Sequence, residues 1–232
     1  HRHNPGAFEP YDLLLTINEF VLIQGIKVTT SNINIAFGYS DIPPGHVASV
    51  VTCLEMRQKP QIAAAPLPDG ATLEPFVGDD LASYRALFRK VGEDWLWFSR
   101  LFMPDQTLKN ILNNDDIAIY IIRDNGVDIG MLELDFRESN QCELVFLGLI
   151  QGTTGKGLGR AVINKAAELA WEKSIERFWV HTCTFDHPPA LNCYIRSGFT
   201  PYAFQVEVRP DPRLTGHLPR HAAPHIPLID PQ

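Results

Sequence analysis

The sequence lacks any run of lysine or arginine, and its formal net charge is -7 at pH 7. Proteins that bind the phosphate backbone of nucleic acids need a clustered basic surface, so nucleic acid is not an expected partner. The sequence also lacks an apolar run approaching the roughly 20 residues of a membrane span. The N-terminus also lacks a basic stretch followed by an apolar segment, so no signal peptide is expected. We therefore expect a cytoplasmic protein that does not enter membranes.

Closely paired cysteines are absent as well, since Cys53, Cys142, Cys183 and Cys193 are scattered without a CxxC motif. A chain of 232 residues can bury a full core without disulfides, so we expect reduced thiols. Two histidines lie near the last two cysteines, but their spacing matches no zinc motif. No bound metal is expected.

Proline is scarce in the middle of the chain, where only Pro104 occurs between Pro75 and Pro188. Proline interrupts helices and central strands, so the continuous core is expected in this stretch. We divide the chain into an N-terminal extension (1–45), a domain (46–208, with its core at 72–208) and a proline-rich C-terminal tail (209–232) that we expect to be extended. The extension contains three short pieces with strand alternation: Leu13–Ile17, Phe20–Val28 and Asn32–Phe37.

The middle of the chain contains both helical and strand periodicities. Asp79 or Asp80 can cap a helix, a second helix follows Pro104, and Asp124-Asn125-Gly126 is a strong hairpin signal. The predicted strands are 47–56, 117–123, 127–136, 142–150, 177–185 and 202–208, and the later helices are 158–173 and 190–196. This order predicts an α+β fold in which helices flank a mixed, mostly antiparallel sheet.

A glycine-rich turn joins the strand 142–150 to the helix 158–173, and it reads Gln151-Gly152-Thr153-Thr154-Gly155-Lys156-Gly157-Leu158-Gly159-Arg160. Glycines let the backbone approach a ligand, and free amides at a helix N-terminus attract phosphate oxygens. The turn therefore predicts an anion site, with a plain flexible connection as the alternative. A Walker A loop needs Ser or Thr directly after Gly-Lys, and a dinucleotide fingerprint needs GxGxxG, so the spacing excludes both.

Two landmarks in this region resemble the GNAT superfamily of acetyl-CoA-dependent N-acetyltransferases. The family's first motif is Arg or Gln, two residues, Gly, one residue, then Gly or Ala, and these positions are occupied by Thr154, Gly157 and Gly159. Its second motif places Asn, Ala, Tyr and Gly-Phe on a short helix, and here it reads His187, Ala190, Tyr194 and Gly198-Phe199. Thr154 and His187 depart from the usual residues. The resemblance spans residues 72–208.

The resemblance implies acetyl-CoA as co-substrate and a sheet that splays between the strands 142–150 and 177–185. The backbone of the first of these strands would hold the pantetheine arm, and one of its amides would polarise the thioester carbonyl. The glycine turn would hold the pyrophosphate. The implied cofactor-binding residues are Leu147, Leu149, Thr154, Gly155, Lys156, Gly157, Leu158, Gly159, Arg160 and His187.

A general base is expected, because presenting a lysine-like amine in its neutral form at pH 7 costs roughly 4 to 5 kcal/mol. Glu143 is the first candidate, because its strand resembles the one that carries the catalytic Glu in the histone-acetylating branch of the superfamily. The alternative for Glu143 is a strand-end carboxylate in water. Strand alternation predicts that Glu143, Val145, Leu147 and Leu149 share one face of the sheet.

Further side chains compete for catalytic roles. Glu133 and Asp135 share one face of the neighbouring strand, so they can act as base or bind a cationic acceptor. His181 is a lesser candidate and can instead be a hydrogen-bonded core residue. Tyr194 matches the family residue that protonates the departing thiolate, and packing of the last helix is the alternative for its side chain.

The region where family members vary to fit the acceptor contains Trp95, Trp97 and Arg100. Their side chains can form a pocket wall or pack in the core. The sequence thus predicts an N-acetyltransferase that moves an acetyl group from acetyl-CoA to a primary amine by direct attack in a ternary complex. The acceptor would be a small molecule or a peptide, and assembly as a homodimer is left open. The alternative function is a non-catalytic acyl-CoA-binding module or sensor with the same fold.

Overall fold

The computed structural model describes residues 38–61, 66–78, 80–153 and 157–231. Residues 42–232 form one compact unit. The three strand pieces predicted before residue 38 lie outside the described residues. Within the described residues, no helix is long and apolar enough to cross a membrane.

A sheet of seven strands organises the described chain. The strands are β1 (His46–Met56), β2 (Ala71–Pro75), β3 (Ile117–Asp124), β4 (Val127–Asp135), β5 (Gln141–Leu149), β6 (Arg177–Cys183) and β7 (Thr200–Pro210). Their order across the sheet is β2-β3-β4-β5-β6-β1-β7. Only β5 and β6 pair in parallel, and every other neighbouring pair is antiparallel. The predicted mixed, mostly antiparallel sheet is confirmed.

Five helices flank the sheet in the described part of the chain: α1 (Leu81–Gly92), α2 (Ser99–Phe102), α3 (Asp105–Leu112), α4 (Leu158–Ala170) and α5 (Ala190–Arg196). A short 3-10 turn (Glu93–Trp95) joins α1 to α2. Helix α1 begins after Asp80, one of the two predicted caps, whose side chain accepts a hydrogen bond from the backbone N–H of Ser83 at 3.0 Å. Asp79 lies outside the described residues.

The two faces of the sheet carry separate apolar cores. Helix α1 packs Tyr84, Phe88 and Val91 on one face, and helix α4 packs Ala166 and Ala170 on the other. The C-terminal tail contributes to the first core, because Leu218, Ala222 and Ala223 are buried there. The buried Arg213 anchors this tail: its guanidinium pairs with Asp211 and donates to the carbonyls of Ala222, Ala223, Ile226 and Pro227.

A β-bulge in β5 changes which side chains face each core. Glu133 lies opposite Phe146 and Leu134 lies opposite Leu144, so Val145 is the extra residue. Directly opposite residues of antiparallel strands point to the same face. Phe146 therefore joins the face of Glu143, whereas Leu147 and Leu149 point to the other face and pack there.

The predicted shared face of Glu143, Val145, Leu147 and Leu149 is wrong. The bulge shifts the strand alternation by one residue, and the residues at the bulge, 144–146, include no glycine or proline that would signal it locally. Strand β2 was not predicted either. Its five residues pair with β3 although they follow a proline- and alanine-rich stretch.

Candidate active site

The parallel pair β5 and β6 separates soon after it begins. Its register runs from Gln141 opposite Arg177 to Glu143 opposite Trp179, and it extends no further in the described residues. The backbone N–H of Ile150 bonds to the carbonyl of Ile129 on the β4 side. Because alternate residues of a strand direct their amides to opposite sides, the amides of Leu147 and Leu149 face the gap between β5 and β6. The predicted splay is confirmed.

The N-terminus of helix α4 follows this gap along the chain. Gly157 precedes the helix with a φ of 77°, a left-handed value that glycine adopts without strain. A Cβ atom added to Gly157 or Gly159 would meet no atom within 4 Å. The first turn carries no acidic residue, so its free amides and the helix dipole remain available to an anion.

The other predicted cofactor-binding residues have different surroundings. Leu158 is buried against Ile122, Ile129 and Val162, so only its backbone can contact a ligand, whereas the side chain of Arg160 is exposed. Thr154, Gly155 and Lys156 lie outside the described residues. The ring of His187 lies edge-on to Trp95, with ring centroids 5.4 Å apart.

Glu143 lies at the point where β5 and β6 part, and its side chain is 12% exposed. Burial raises the pKa of Glu143 to about 8, and the nearby carboxylates of Asp135 and Glu133 add to the effect. Arg100 and Arg137 oppose this rise. A buried carboxyl with a pKa near neutrality can both take and release a proton at physiological pH.

His181 is the neighbour that links Glu143 to solvent. Its Nδ1 lies 3.6 Å from Oε1 of Glu143, just beyond hydrogen-bond distance, and its side chain is 43% exposed. Burial lowers the pKa of His181, whereas the carboxylates of Asp186 and Glu207 raise it. The imidazole is thus close to Glu143 and open to solvent.

Glu133 and Asp135, the competing acids, are both held by arginines. Oε1 of Glu133 accepts a hydrogen bond from Nη2 of Arg100 at 2.6 Å, and Oε2 accepts one from the hydroxyl of Tyr84 at 3.0 Å. The side chains of Arg100 and Glu133 are only 5% and 1% exposed. Asp135 accepts hydrogen bonds from Nε and Nη2 of Arg137. Neither Arg100 nor Glu133 is therefore accessible to an acceptor.

Tyr194 lies on α5 and is buried against Phe199, with ring centroids 5.7 Å apart. Burial raises the pKa of Tyr194 above its usual value of 10, and the carboxylate of Asp186 contributes. The hydroxyl therefore stays protonated at physiological pH. None of the hydrogen bonds found among the described residues involves this hydroxyl.

Aromatic rings pack between β5 and α1. Trp97 packs on Phe88 and Phe146, with ring centroids 5.8 and 5.1 Å away, and its Nε1 lies 3.4 Å from Oδ1 of Asp186. A Cβ atom at Gly148 would lie 2.2 Å from Cγ1 of Val91 and 3.1 Å from the ring of Trp97, so this packing requires glycine. Trp95 is buried instead, between His187 and His225 of the C-terminal tail.

Sequence reasoning missed Asp186 and Tyr84. Oδ2 of Asp186 accepts hydrogen bonds from the hydroxyl of Thr182 and the backbone N–H of Cys183, both at 2.8 Å. No Arg, Lys or His lies within salt-bridge distance of Asp186 in the described chain. Its position before Pro188 reads as an ordinary turn signal. On helical periodicity alone, Tyr84 is one more residue of the apolar face of α1. Among the described residues, no cluster of three or more metal-binding side chains is present.

The sequence matches the Acetyltransferase (GNAT) family over residues 84–199, half of the chain. A GCN5-related N-acetyltransferase from Kribbella flavida has a similar structure, with 18% identity, a TM-score of 0.51, and coverage of 74% of this chain and 63% of that one. A GCN5-related N-acetyltransferase from Sphaerobacter thermophilus is also similar, with 13% identity, a TM-score of 0.50, and coverage of 72% of this chain and 52% of that one.

This chain thus spans less than two thirds of the length of either protein. No curated protein matches the sequence. The structural likeness supports the fold, and the sequence match covers the glycine turn, Glu143 and Tyr194. The chain belongs to the GNAT acetyltransferase family.

Proposed function

We propose that this protein transfers an acetyl group from acetyl-CoA to a primary amine by direct attack in a ternary complex. One observation carries the proposal: Glu143 lies where β5 and β6 part, and the N-terminus of α4 follows the same gap. A thioester in the gap would have amides on one side and a proton acceptor at its inner end. This arrangement fits acyl transfer better than binding alone, since binding has no use for a buried carboxyl.

The residues around the gap fit coenzyme A. The free amides of Leu158, Gly159 and Arg160 would bind pyrophosphate oxygens, and the open space above Gly159 leaves room for them. The amides of Leu147 and Leu149 would bind the pantetheine arm and the thioester oxygen. An oxyanion donor of this kind contributes roughly 3 to 4 kcal/mol to the transition state.

Glu143 is proposed as the general base. Moving a proton from an ammonium of pKa about 10.4 to a normal glutamate is uphill by about 6 pKa units, or roughly 8 kcal/mol. A pKa of about 8 for Glu143 reduces the gap to roughly 2 to 3 units. The cost is that only about a tenth of the Glu143 carboxyls are ionised at pH 7, so the rate should rise with pH up to about 8.

Tyr194 is proposed as the proton donor to the departing thiolate. Its raised pKa makes it a weaker acid than a thiol, whose pKa is about 8.5, so complete proton transfer is uphill. Donation therefore helps only when it is concerted with departure of the sulfur. Because the Tyr194 side chain is buried, little water surrounds it to compete as a proton donor.

The acceptor amine is proposed to bind between Trp97 and His181. Asp186, which has no cationic partner within salt-bridge distance in the described residues, lies beside Trp97 and can attract a positively charged acceptor. The buried Arg100 and Glu133 are left to a supporting role. The acceptor would be a small molecule or a peptide amine.

Thiol release from acetyl-CoA across a panel of amines and peptides tests the proposal, with thermal shift by coenzyme A measured in parallel. We expect turnover with at least one amine and none with its N-acetylated form as a matched control. Stabilisation by coenzyme A without turnover on any amine would favour the non-catalytic acyl-CoA-binding module. This second function is favoured by Thr154 and His187, which differ from the usual residues of the two family motifs.

A further inference from the structure

A buried ion pair lies beside the strand of the proposed base and takes no direct part in the proposed chemistry. Arg100 on α2 and Glu133 on β4 are joined at 2.6 Å, and the hydroxyl of Tyr84 on α1 donates a hydrogen bond to the Glu133 carboxylate. The guanidinium lies 5.1 Å from the centre of the Phe146 ring. We refer to Arg100 and Glu133 as the buried pair.

Stability is a weak explanation for the buried pair. Removing two charges from water costs several kcal/mol per ion, and replacing such pairs with apolar residues is often neutral or stabilising. The buried Nε of Arg100 also has no hydrogen-bond partner, which adds a further cost. A group retained at such a cost is a candidate for a functional role.

The position of the buried pair connects it to Glu143. Asp135 lies directly opposite Glu143, and Glu133 lies two residues further along the same face. Diagonal neighbours on antiparallel strands are roughly 7 to 8 Å apart, close enough for charges to interact in a site with little water. Phe146, which the bulge places opposite Glu133, fills the space beside them.

The charged groups around Glu143 form matched sets. Strand β4 contributes Glu133 and Asp135, each bound to one arginine, Arg100 and Arg137 respectively. Strand β6 contributes His181. On the strand of Glu143 itself, burial raises the pKa of Cys142, so this thiol stays neutral. The two acids thus face Glu143 with their charges balanced.

We propose that the buried pair is a positioning unit for Glu143: it keeps zero net charge beside the carboxyl and so sets the pH range in which Glu143 can take a proton from the acceptor. This inference rests on the proposed function of Glu143 as the base. It assigns Glu133 to electrostatic support of the base, and it explains why Arg100 is buried rather than exposed to the acceptor.

Titration of Glu143 in the free protein tests the inference. The probe is the carboxyl carbon signal of glutamate-labelled protein, assigned by its loss in Glu143→Gln. Glu133→Gln leaves the Arg100 charge unbalanced and should lower the titration midpoint of Glu143 by about one pH unit. Arg100→Gln leaves the Glu133 charge unbalanced and should raise it by about one unit. The double variant should stay within about half a unit of wild type, as should the control Tyr84→Phe, which changes no charge.

Opposite shifts that cancel in the double variant support the inference, because a merely structural role would not change sign. An unshifted midpoint in the folded single variants overturns the inference. A double variant whose midpoint is shifted as far as that of one single variant overturns it as well. If one single variant does not fold, the sign of the other decides.

The titration needs no substrate, so its failure is distinguishable from failure of the proposed function. Absence of acetyl transfer in the thiol-release assay would remove the base, whatever the midpoints do. In an active enzyme, the rising limb of kcat/KM with pH must move with the midpoint, and a limb that stays in place overturns the positioning role.

Discussion

Replacing Glu143 with glutamine should change how the stability of the protein depends on pH. An unfolded glutamate has a pKa of about 4.3, whereas Glu143 in the folded protein has a pKa of about 8. Between these values the folded state binds more protons than the unfolded state, so the free energy of unfolding falls as pH rises. The contribution is fully present below about pH 4 and is lost by about pH 8. Glutamine at this position cannot titrate and removes the dependence.

The size of the effect follows from the same pKa values. Each pKa unit corresponds to about 1.4 kcal/mol, so the wild type should lose roughly 4 kcal/mol from this group between pH 5 and pH 9. Because 12% of the side chain is exposed, water reduces the effect, and about 2 to 4 kcal/mol is expected. Relative to wild type, Glu143→Gln should therefore gain this amount of stability across the interval.

Urea unfolding at pH 5, 7 and 9 measures the difference, provided that the m-values of the two proteins agree. Glu172→Gln, at an exposed position after α4, is the matched control and should follow wild type at every pH. If the stabilities of wild type and Glu143→Gln run parallel from pH 5 to pH 9, Glu143 is not a buried carboxyl with a raised pKa. The argument for it as a base would then fail.

Three further predictions address the cofactor, the leaving group and the tail. Tyr194→Phe should lower kcat by about tenfold to a thousandfold with little change in Tm, and a wild-type rate would remove Tyr194 from the mechanism. Gly159→Glu has space for its Cβ atom and brings a negative charge to the anion site, so the thermal shift by coenzyme A should fall while the free protein keeps its Tm. An equal thermal shift would place the pyrophosphate elsewhere. Arg213→Ala leaves Asp211 buried without its partner and should cost about 3 to 5 kcal/mol of unfolding free energy, whereas the exposed Arg220→Ala should cost about 1 kcal/mol or less; similar costs in urea unfolding would show that Arg213 does not anchor the tail.

The elements that the sequence predicted well carry local signals. The cap at Asp80, the hairpin turn at Asp124-Asn125-Gly126 and the glycines before α4 each act within a few residues, and the structure has a helix, a hairpin and a helix start at these positions. The place of β1 between β6 and β7 has no such signal, because it depends on pairing with strands more than 100 residues away. The partner of Arg100 was equally hidden, since Glu133 is distant in sequence and alternation alone made it look like an accessible acid.

The bulge at Val145 shows how one nonlocal detail decides the chemistry of the candidate site. Without it, strand alternation would place Val145 beside Glu143, and Phe146 would point to the opposite face. With it, Phe146 packs against Trp97, and Gly148 faces α1, where an added Cβ would lie 2.2 Å from Val91. The close approach of α1 thus requires both the bulge and the glycine. Glu143 lies on the same face of β5 as Phe146, the face on which α1 packs, and burial raises its pKa there.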